Sequence, residues 1–236
     1  MLEVHIINMN RARGKWERCS RRFHEKDFRV LRQEGYDVRD MNLSGYHTGF
    51  QKAGALGCNL SHRALWEKLL QSSNKDFLIV AEDDAIPLVS SQEFMDQIKK
   101  LPDNIDFVHF GCGTRCRKHP FIGAHCYLVT RNGARKYFAH WKNRIDVALD
   151  IAIGKTPGVN LMRVNPELAT FEKLRATDSD IVNTNNPIAA LLDYIPFDEN
   201  RTLGYVLFYP GYFDINFFHL FIVLILFTLF FIKIKK

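Results

Sequence analysis

Cysteine is scarce in this chain of 236 residues, and its five cysteines follow no regular spacing. Small secreted domains that depend on disulfides carry an even number of closely ordered cysteines, so the chain does not fit that class. Cys112 and Cys116 lie near three histidines and raise a structural zinc site as an alternative, but such sites normally show two tight ligand pairs. We therefore expect free thiols in a reducing compartment.

The chain also lacks the short motifs of the best-known nucleotide sites and of secretion. Neither the G-x-G-x-x-G nor the P-loop spacing occurs. Charged and apolar residues alternate within residues 1–13, so we expect no signal peptide. Hydrophobic residues make up 47% and charged residues 25%, which excludes a disordered chain and suits one substantial domain, alone or with an appendage.

An evenly spread basic charge is missing too, although the formal net charge is +6. Residues 11–39 hold ten basic and five acidic side chains, and Lys233, Lys235 and Lys236 add +3, which leaves −2 for the rest of the chain. A nucleic-acid-binding protein usually carries a continuous basic patch or stripe. We therefore expect no nucleic-acid partner.

Long hydrophobic runs are absent except at the C-terminus. Residues 217–232 read FFHLFIVLILFTLFFI, with aromatic residues before them and KIKK after them. A spanning helix needs about 20 apolar residues, so this run either spans a membrane with little to spare or lies in its interface. We predict a globular domain over residues 1–200, an aromatic linker over 201–214 and a hydrophobic membrane anchor over 215–236.

Apolar runs and helical stripes alternate along the globular part. Strands are predicted at residues 4–7, 77–81, 107–110 and 124–130, and helices at 11–33, 54–70 and 132–141. Beyond residue 150 the prolines favour loops. Alternating strands and helices indicate an α/β fold with a mostly parallel central sheet.

Three adjacent carboxylates, Glu82, Asp83 and Asp84, follow the apolar run FLIVA. They repel one another, so they must lie in water or face a cation. Ligands of open α/β sheets bind beyond the carboxyl ends of the strands, and Mg²⁺ or Mn²⁺ bridges carboxylates to a diphosphate. The cluster therefore predicts a metal–nucleotide site. The alternative is a solvated turn in which Asp84 caps a following helix.

The stretch GCNLSH at residues 57–62 is a candidate phosphate loop. Ser61 and His62 do not form a nucleophile–base pair, because neighbouring side chains on a helix point about 100° apart. For His62 the alternative to a site role is that of a packed helix histidine.

Six segments form an ordered series over roughly the first 185 residues. They read IINMNR at 6–11 followed by ER at 17–18, GALGCNLSH at 54–62, FLIVAEDDA at 77–85, a strand and Gly-Ala helix over 124–134, RID at 144–146 and SDI at 179–181. In this order they resemble glycosyltransferase family 25, the lipooligosaccharide galactosyltransferase family. Ala55 departs from the pattern, which often has an acidic residue there, and the hydrophobic tail lies outside it.

The resemblance implies a GT-A-like nucleotide-sugar-binding fold, a UDP-sugar donor and inversion at the anomeric carbon. The expected activity is a β-galactosyltransferase of lipopolysaccharide biosynthesis that moves galactose from UDP-galactose onto a lipid-linked oligosaccharide. UDP-glucose and a UDP-N-acetylhexosamine stay open as donors. The alternative class is a non-catalytic membrane-surface protein whose basic segments bind anionic lipid, but lipid binding has no need of the carboxylate cluster.

Roles at the donor site follow from the carboxylates and from the resemblance. Asp84, with Glu82 or Asp83, would hold Mn²⁺ or Mg²⁺ against the donor diphosphate. Asn8 and Arg11 would meet the nucleotide. The donor side of the site would be lined by Gly57, Ser61 and His62.

Inversion also needs a carboxylate that removes the proton from the acceptor hydroxyl. Asp146 and Asp150 are the candidates, because residues one helical turn apart can share a face. UDP-sugars are made in the cytoplasm, so we expect the domain on the cytoplasmic face of the inner membrane.

Overall fold

The structure is a computed structural model that describes residues 1–49, 53–111 and 123–172, together with the backbone of residues 206–208 and 215–216. The chain separates into two compact units, Met1–Asn183 and Thr184–Lys236. The first unit contains every residue predicted to act at the candidate site.

The described part of the first unit contains eight strands and five helices. The strands are β1 (Glu3–Asn8), β2 (Arg29–Glu34), β3 (Phe77–Glu82), β4 (Ala85–Pro87), β5 (Phe107–His109), β6 (Cys126–Thr130), β7 (Leu161–Arg163) and β8 (Ala169–Phe171). The helices are α1 (Arg13–His24), α2 (Ala53–Gln71), α3 (Ser91–Ile98), α4 (Arg131–Trp141) and α5 (Leu149–Lys155), and a short 3-10 turn spans Val38–Asp40.

Six strands form the central sheet in the order β2-β1-β3-β6-β5-β7. β1 is parallel to β2 and β3, and β5 is parallel to β7, whereas β6 is antiparallel to both of its neighbours. The predicted α/β fold with a mostly parallel sheet is thus confirmed, with one reversed strand. β4 and β8 form a separate antiparallel pair.

Helices cover both faces of this sheet, and β3 shows how. Its side chains alternate, so Ile79 and Ala81 pack with α1 and α3, whereas Leu78 and Val80 pack with α2, α4 and α5. A strand covered on both faces is a continuous apolar run. The run FLIVA therefore predicts a central strand, because both faces of that strand are buried.

The prediction of one helix over residues 11–33 is wrong. α1 ends at His24, Asp27 adopts a left-handed conformation with φ 61°, and residues 29–34 form β2. β2 lies at the edge of the sheet and, among the strands that the structure describes, pairs with β1 alone. Edge strands carry charged side chains that oppose aggregation, and these charges hide the alternation by which a strand is recognised.

Three further expectations are corrected. Residues 57–62 are not a loop but lie inside α2, where six of the seven residues from 56 to 62 are buried. Asp84 does not cap a helix, because the next element is β4. Beyond residue 150 the chain still forms α5, β7 and β8.

The described backbone of the second unit forms a short antiparallel pair, β9 (Val206–Phe208) and β10 (Ile215–Asn216). The remainder of the predicted linker and anchor lies outside the described residues, so the domain boundaries stay predictions. In the part of the chain that the structure describes, none of the helices has both the length and the apolar character to cross a membrane.

Candidate functional site

A cleft of about 260 Å³ opens at the carboxyl ends of β1, β2 and β3. It is lined by residues 7–9, 11 and 15, by 35–39, by 53, 54, 57, 58, 61 and 62 of α2, and by 82–84. β1 lies between β2 and β3, so the connection from β1 to β2 and the connection from β2 to β3 run in opposite directions across the sheet. Open α/β sheets bind ligands at such a switch point.

Asn8 joins the three strand ends beneath the cleft. Its Nδ2 donates to Asp83 Oδ2 at 2.7 Å and to the Ala12 carbonyl at 3.0 Å, and its Oδ1 accepts from Arg32 Nη2 at 2.7 Å. Asn8 is 1% exposed, and these bonds use both ends of its amide. Its predicted place at the nucleotide site therefore comes with a structural task, which is to hold the strand ends together.

Glu82, Asp84 and His125 form what we call the acid–imidazole group. His125 Nδ1 lies 3.3 Å from Asp84 Oδ1 and 3.4 Å from Glu82 Oε2. The His125 ring stacks on Phe171 with the centroids 4.1 Å apart, which fixes the plane of the imidazole. The two predicted metal ligands thus lie together, whereas Asp83 turns toward Asn8.

The pKa shifts of the acid–imidazole group favour a positive charge on His125. Burial lowers the pKa of His125, but its hydrogen bonds to Asp84 and Glu82 outweigh burial and raise the pKa to about 10. Burial raises the pKa of Glu82, yet the bonds to His125 and His62 leave it well below its usual value. A proton on His125 Nδ1 is therefore shared by two carboxylates.

The same donors fit a divalent ion. One atom from each of the three side chains lies within 4.8 Å of the others. Carboxylate oxygens with one imidazole nitrogen are ligands that Mn²⁺ accepts readily. A metal would take over the positive charge that the His125 proton carries in the metal-free group. No metal cluster can be assessed around Cys112 and Cys116, which lie outside the described residues.

His62 is buried beneath Glu82 and belongs to a chain of hydrogen bonds. Trp66 Nε1 donates to the Tyr127 hydroxyl at 3.0 Å, that hydroxyl lies 2.7 Å from His62 Nδ1, and His62 Nε2 lies 3.2 Å from Glu82 Oε1. Because the indole only donates and the ionised carboxylate only accepts, Tyr127 donates to Nδ1 and Nε2–H donates to Glu82. His62 is thus a packed helix histidine that also orients Glu82.

Cys58 completes the surroundings of Glu82, with its Sγ 3.6 Å from Glu82 Oε1. Burial raises the pKa of the thiol well above its usual value, and the charges of Glu82 and Asp150 add to the rise. The thiol therefore stays protonated and donates weakly to the carboxylate.

Gly57 and Ser61 dock α2 against the end of β2. Ser61 Oγ accepts from the Tyr36 amide at 2.8 Å and donates to the Gly57 carbonyl at 2.6 Å. A Cβ on Gly57 would lie 2.4 Å from the Tyr36 carbonyl oxygen, so only glycine allows this approach. Both residues line the cleft as predicted, but their polar contacts serve the scaffold.

Cations stand at the other side of the cleft. Arg11 Nη1 pairs with Asp37 Oδ2 at 2.7 Å, and Arg39 Nε donates to Asp37 Oδ1 at 2.8 Å. The hydrogen bond from Arg39 is the main reason why the pKa of Asp37 is low. Lys15 also lines the cleft, and its charge counteracts the burial that raises the pKa of Asp83. The predicted nucleotide contact Arg11 thus has two cationic neighbours.

The two predicted bases do not share a helical face, because α5 begins at Leu149 and Asp146 precedes it. Asp146 pairs with Arg144 Nη2 at 3.1 Å and with His47 Nε2 at 3.5 Å. Burial raises the pKa of Asp146, but the bond from Arg144 leaves it lowered.

Asp150 stands in the first turn of α5, where Oδ2 accepts the Gly123 amide at 2.9 Å and Oδ1 the Ile151 amide at 2.8 Å. Gly123 packs against the ring of His125, so Asp150 lies on the side of the acid–imidazole group. Neither aspartate is among the described residues that line the cleft.

The family model of glycosyltransferase family 25, described as an LPS biosynthesis protein, matches residues 1–119, which is half of the chain. The chain belongs to glycosyltransferase family 25. The matched part of this family member contains the strand ends, α2 and the carboxylates of the cleft, whereas His125, Asp146 and Asp150 lie beyond it.

Curated relatives of this family 25 chain include procollagen galactosyltransferase 2 of Homo sapiens and of Mus musculus, 25% and 24% identical over 119 residues. Each alignment covers 44% of this chain and 18% of the relative, so the chain spans about a fifth of the length of these proteins.

Two solved structures are also similar to this family 25 chain. A galactosyltransferase LgtC with donor and acceptor sugar analogues is 8% identical, with a TM-score of 0.45 over 81% of this chain and 95% of that one. A glycosyltransferase involved in glycosylation of the major capsid of PBCV-1 is 9% identical, with a TM-score of 0.45 over 70% and 82%. At these TM-scores the likeness does not assign a fold.

Proposed function

We propose that this family 25 member is an inverting hexosyltransferase with a GT-A-like donor site that moves galactose from UDP-galactose onto a lipooligosaccharide acceptor. The observation that carries the proposal is one cleft, at a switch point of the sheet, that contains both the carboxylates Glu82 and Asp84 of the acid–imidazole group and a set of cations. A nucleoside diphosphate with a divalent ion needs both kinds of group. The names of the curated relatives support galactose as the sugar, and the description of the family supports the acceptor class.

Within this proposal different residues of the chain bind different parts of the donor. Arg11 and Lys15 bind the diphosphate, with Asp37 keeping the Arg11 guanidinium in place. Glu82, Asp84 and His125 would hold Mn²⁺ or Mg²⁺, with His125 unprotonated at Nδ1. His62 and Cys58 fix Oε1 of Glu82, which leaves Oε2 facing His125. Bound there, the ion supplies Lewis-acid stabilisation of the leaving UDP.

A carboxylate must also deprotonate the acceptor hydroxyl as it attacks. Asp150 is the first candidate, because it accepts the amide of Gly123, and Gly123 packs against the ring of His125. The amides of Gly123 and Ile151 orient its carboxylate. Asp146 is the second candidate, and its pairing with Arg144 and His47 makes it a weaker base.

Attachment to the membrane stays part of the proposal. The hydrophobic run at residues 217–232 and its lysine tip would keep the domain on the cytoplasmic face of the inner membrane, near a lipid-linked acceptor. The UDP-sugar pool of the cytoplasm would then supply the donor.

A donor panel tests the proposed function. The full chain is incubated with Mn²⁺ and with UDP-galactose, UDP-glucose or UDP-N-acetylglucosamine, with and without lipooligosaccharide, and the released UDP is measured. We expect the fastest release with UDP-galactose and acceptor. Preference for another UDP-sugar would correct the donor, and no release from any of them would refute the transferase assignment.

A further inference from the structure

Tyr36 is an aromatic side chain left open on the wall of the cleft. It is 41% exposed, and among the described residues only two other large apolar side chains, Met1 and Leu88, are more open to solvent, neither of them in the cleft. Within the described parts of the chain, no ring contact or hydrogen bond holds its phenol. A flat aromatic face is therefore available where the ligand is expected.

The backbone that carries this ring is held rigidly from two sides. The Tyr36 amide donates to Ser61 Oγ at 2.8 Å, and its carbonyl packs against Gly57 of α2. The preceding amide, that of Gly35, donates to the Asn8 carbonyl at 3.0 Å. A fixed backbone under an exposed ring is a preorganised binding surface, because little ordering is left to do when a ligand arrives.

The surroundings of Tyr36 define what kind of group it would meet. Ala53 and Gly54 at the start of α2 line the same cleft with at most one side-chain carbon each, so they leave room for a planar group. The next residue, Asp37, pairs with Arg11, so the cleft that Tyr36 lines also contains a guanidinium. A ligand that fits has a flat ring at one end and a negative charge beside it.

We infer that Tyr36 is the stacking platform for the nucleobase of the donor. The inference rests on the proposed function and deepens it, because it orients the nucleotide in the cleft. The base lies at the end of β2, the diphosphate passes Arg11, and the sugar end reaches the acid–imidazole group at the end of β3. Gly57 and Ser61 of the GCNLSH stretch act here as positioning residues, since they set the place of Tyr36.

Binding measurements on matched variants test the platform. Calorimetry with Mn²⁺ gives the dissociation constants of UDP and of inorganic pyrophosphate for the wild type, Tyr36→Ala and Tyr36→Phe. Loss of a base-stacking ring typically weakens binding by about 10- to 100-fold. We expect that loss for UDP with Tyr36→Ala, near wild-type UDP affinity with Tyr36→Phe, and pyrophosphate affinities within about twofold for all three.

Leu88→Ala is the matched control, because Leu88 is 46% exposed and does not line the cleft. It should leave both affinities unchanged. Equal UDP affinity in the wild type and Tyr36→Ala, or equal losses for UDP and pyrophosphate, would overturn the platform while leaving the proposed function standing. A wild type that binds no UDP would overturn both.

Discussion

Replacing Tyr127 with phenylalanine removes one oxygen from the buried chain of hydrogen bonds that ends at Glu82. The ring itself stays, and Tyr127 does not line the cleft. Two buried groups lose their partner, because Trp66 Nε1 donates to this hydroxyl and His62 Nδ1 accepts from it. The orientation of His62, and with it that of Glu82, then depends on packing alone.

The expected loss of stability follows from these two groups. A buried polar group without a partner costs about 1–3 kcal/mol, so the two groups together should lower the free energy of unfolding of Tyr127→Phe by about 2–6 kcal/mol. Urea denaturation measures the change as a shift of the midpoint at constant slope. The release of UDP from a UDP-sugar should also slow, since Glu82 is no longer held by an oriented imidazole.

Tyr137→Phe is the matched control, because Tyr137 is equally buried on the same side of the sheet. Its hydroxyl makes one long bond, 3.4 Å, to Asn59 Oδ1. The expected loss is below about 1.5 kcal/mol. If the two variants lose the same stability, or if Tyr127→Phe loses less than about 1 kcal/mol, the chain of hydrogen bonds does not act as described.

Three further predictions concern the base, pH and the tail. Asp150→Asn should lower the kcat of transfer by about 10²- to 10⁴-fold with unchanged UDP affinity, and Asp146→Asn less; normal kcat in both would place the base elsewhere. Burial and the charge of Lys75 lower the pKa of His5 from 6.5 to about 4. The folded state then binds the proton less tightly than the unfolded state. The contribution of His5 to the free energy of unfolding is therefore fully present above pH 6.5 and is lost as pH drops toward 4. His5→Gln should flatten that part of the curve in denaturation at each pH, and an unchanged slope would contradict it. Deleting the residues after Tyr212 should give a soluble protein that still hydrolyses the donor. Recovery of this truncated protein in the membrane fraction would refute the prediction.

The sequence predicted those elements whose burial produces a recognisable pattern of apolar residues along the chain. FLIVA at residues 77–81 is buried on both faces, and α2 carries a long apolar stripe, so β3 and α2 lie close to their predicted bounds. β2 was predicted as helix because an edge strand rich in arginine resembles the end of a charged helix. Its pairing with β1 is a contact between distant residues, which a local pattern does not contain.

The candidate site was predictable on β3 and hidden on β6. Glu82 ends an apolar strand and Asp84 follows two residues later. His125 joins them because it directly precedes β6, which runs antiparallel beside β3, with the Glu82 amide bonded to the His125 carbonyl at 2.9 Å. Tyr36 carries no motif of its own and owes its position to Gly57 and Ser61. Asp146 and Asp150 have helical spacing, but the helix starts between them.

The binding of UDP to the full chain, measured by calorimetry with Mn²⁺ and again in excess EDTA, tests most directly whether the acid–imidazole group holds the donor's metal. The wild type should bind UDP with Mn²⁺ and weakly in EDTA. Asp84→Asn should weaken binding by more than about tenfold, whereas the exposed carboxylate variant Asp96→Asn should bind like the wild type. Equal UDP affinity in Mn²⁺ and in EDTA, or full affinity in Asp84→Asn, would contradict the account.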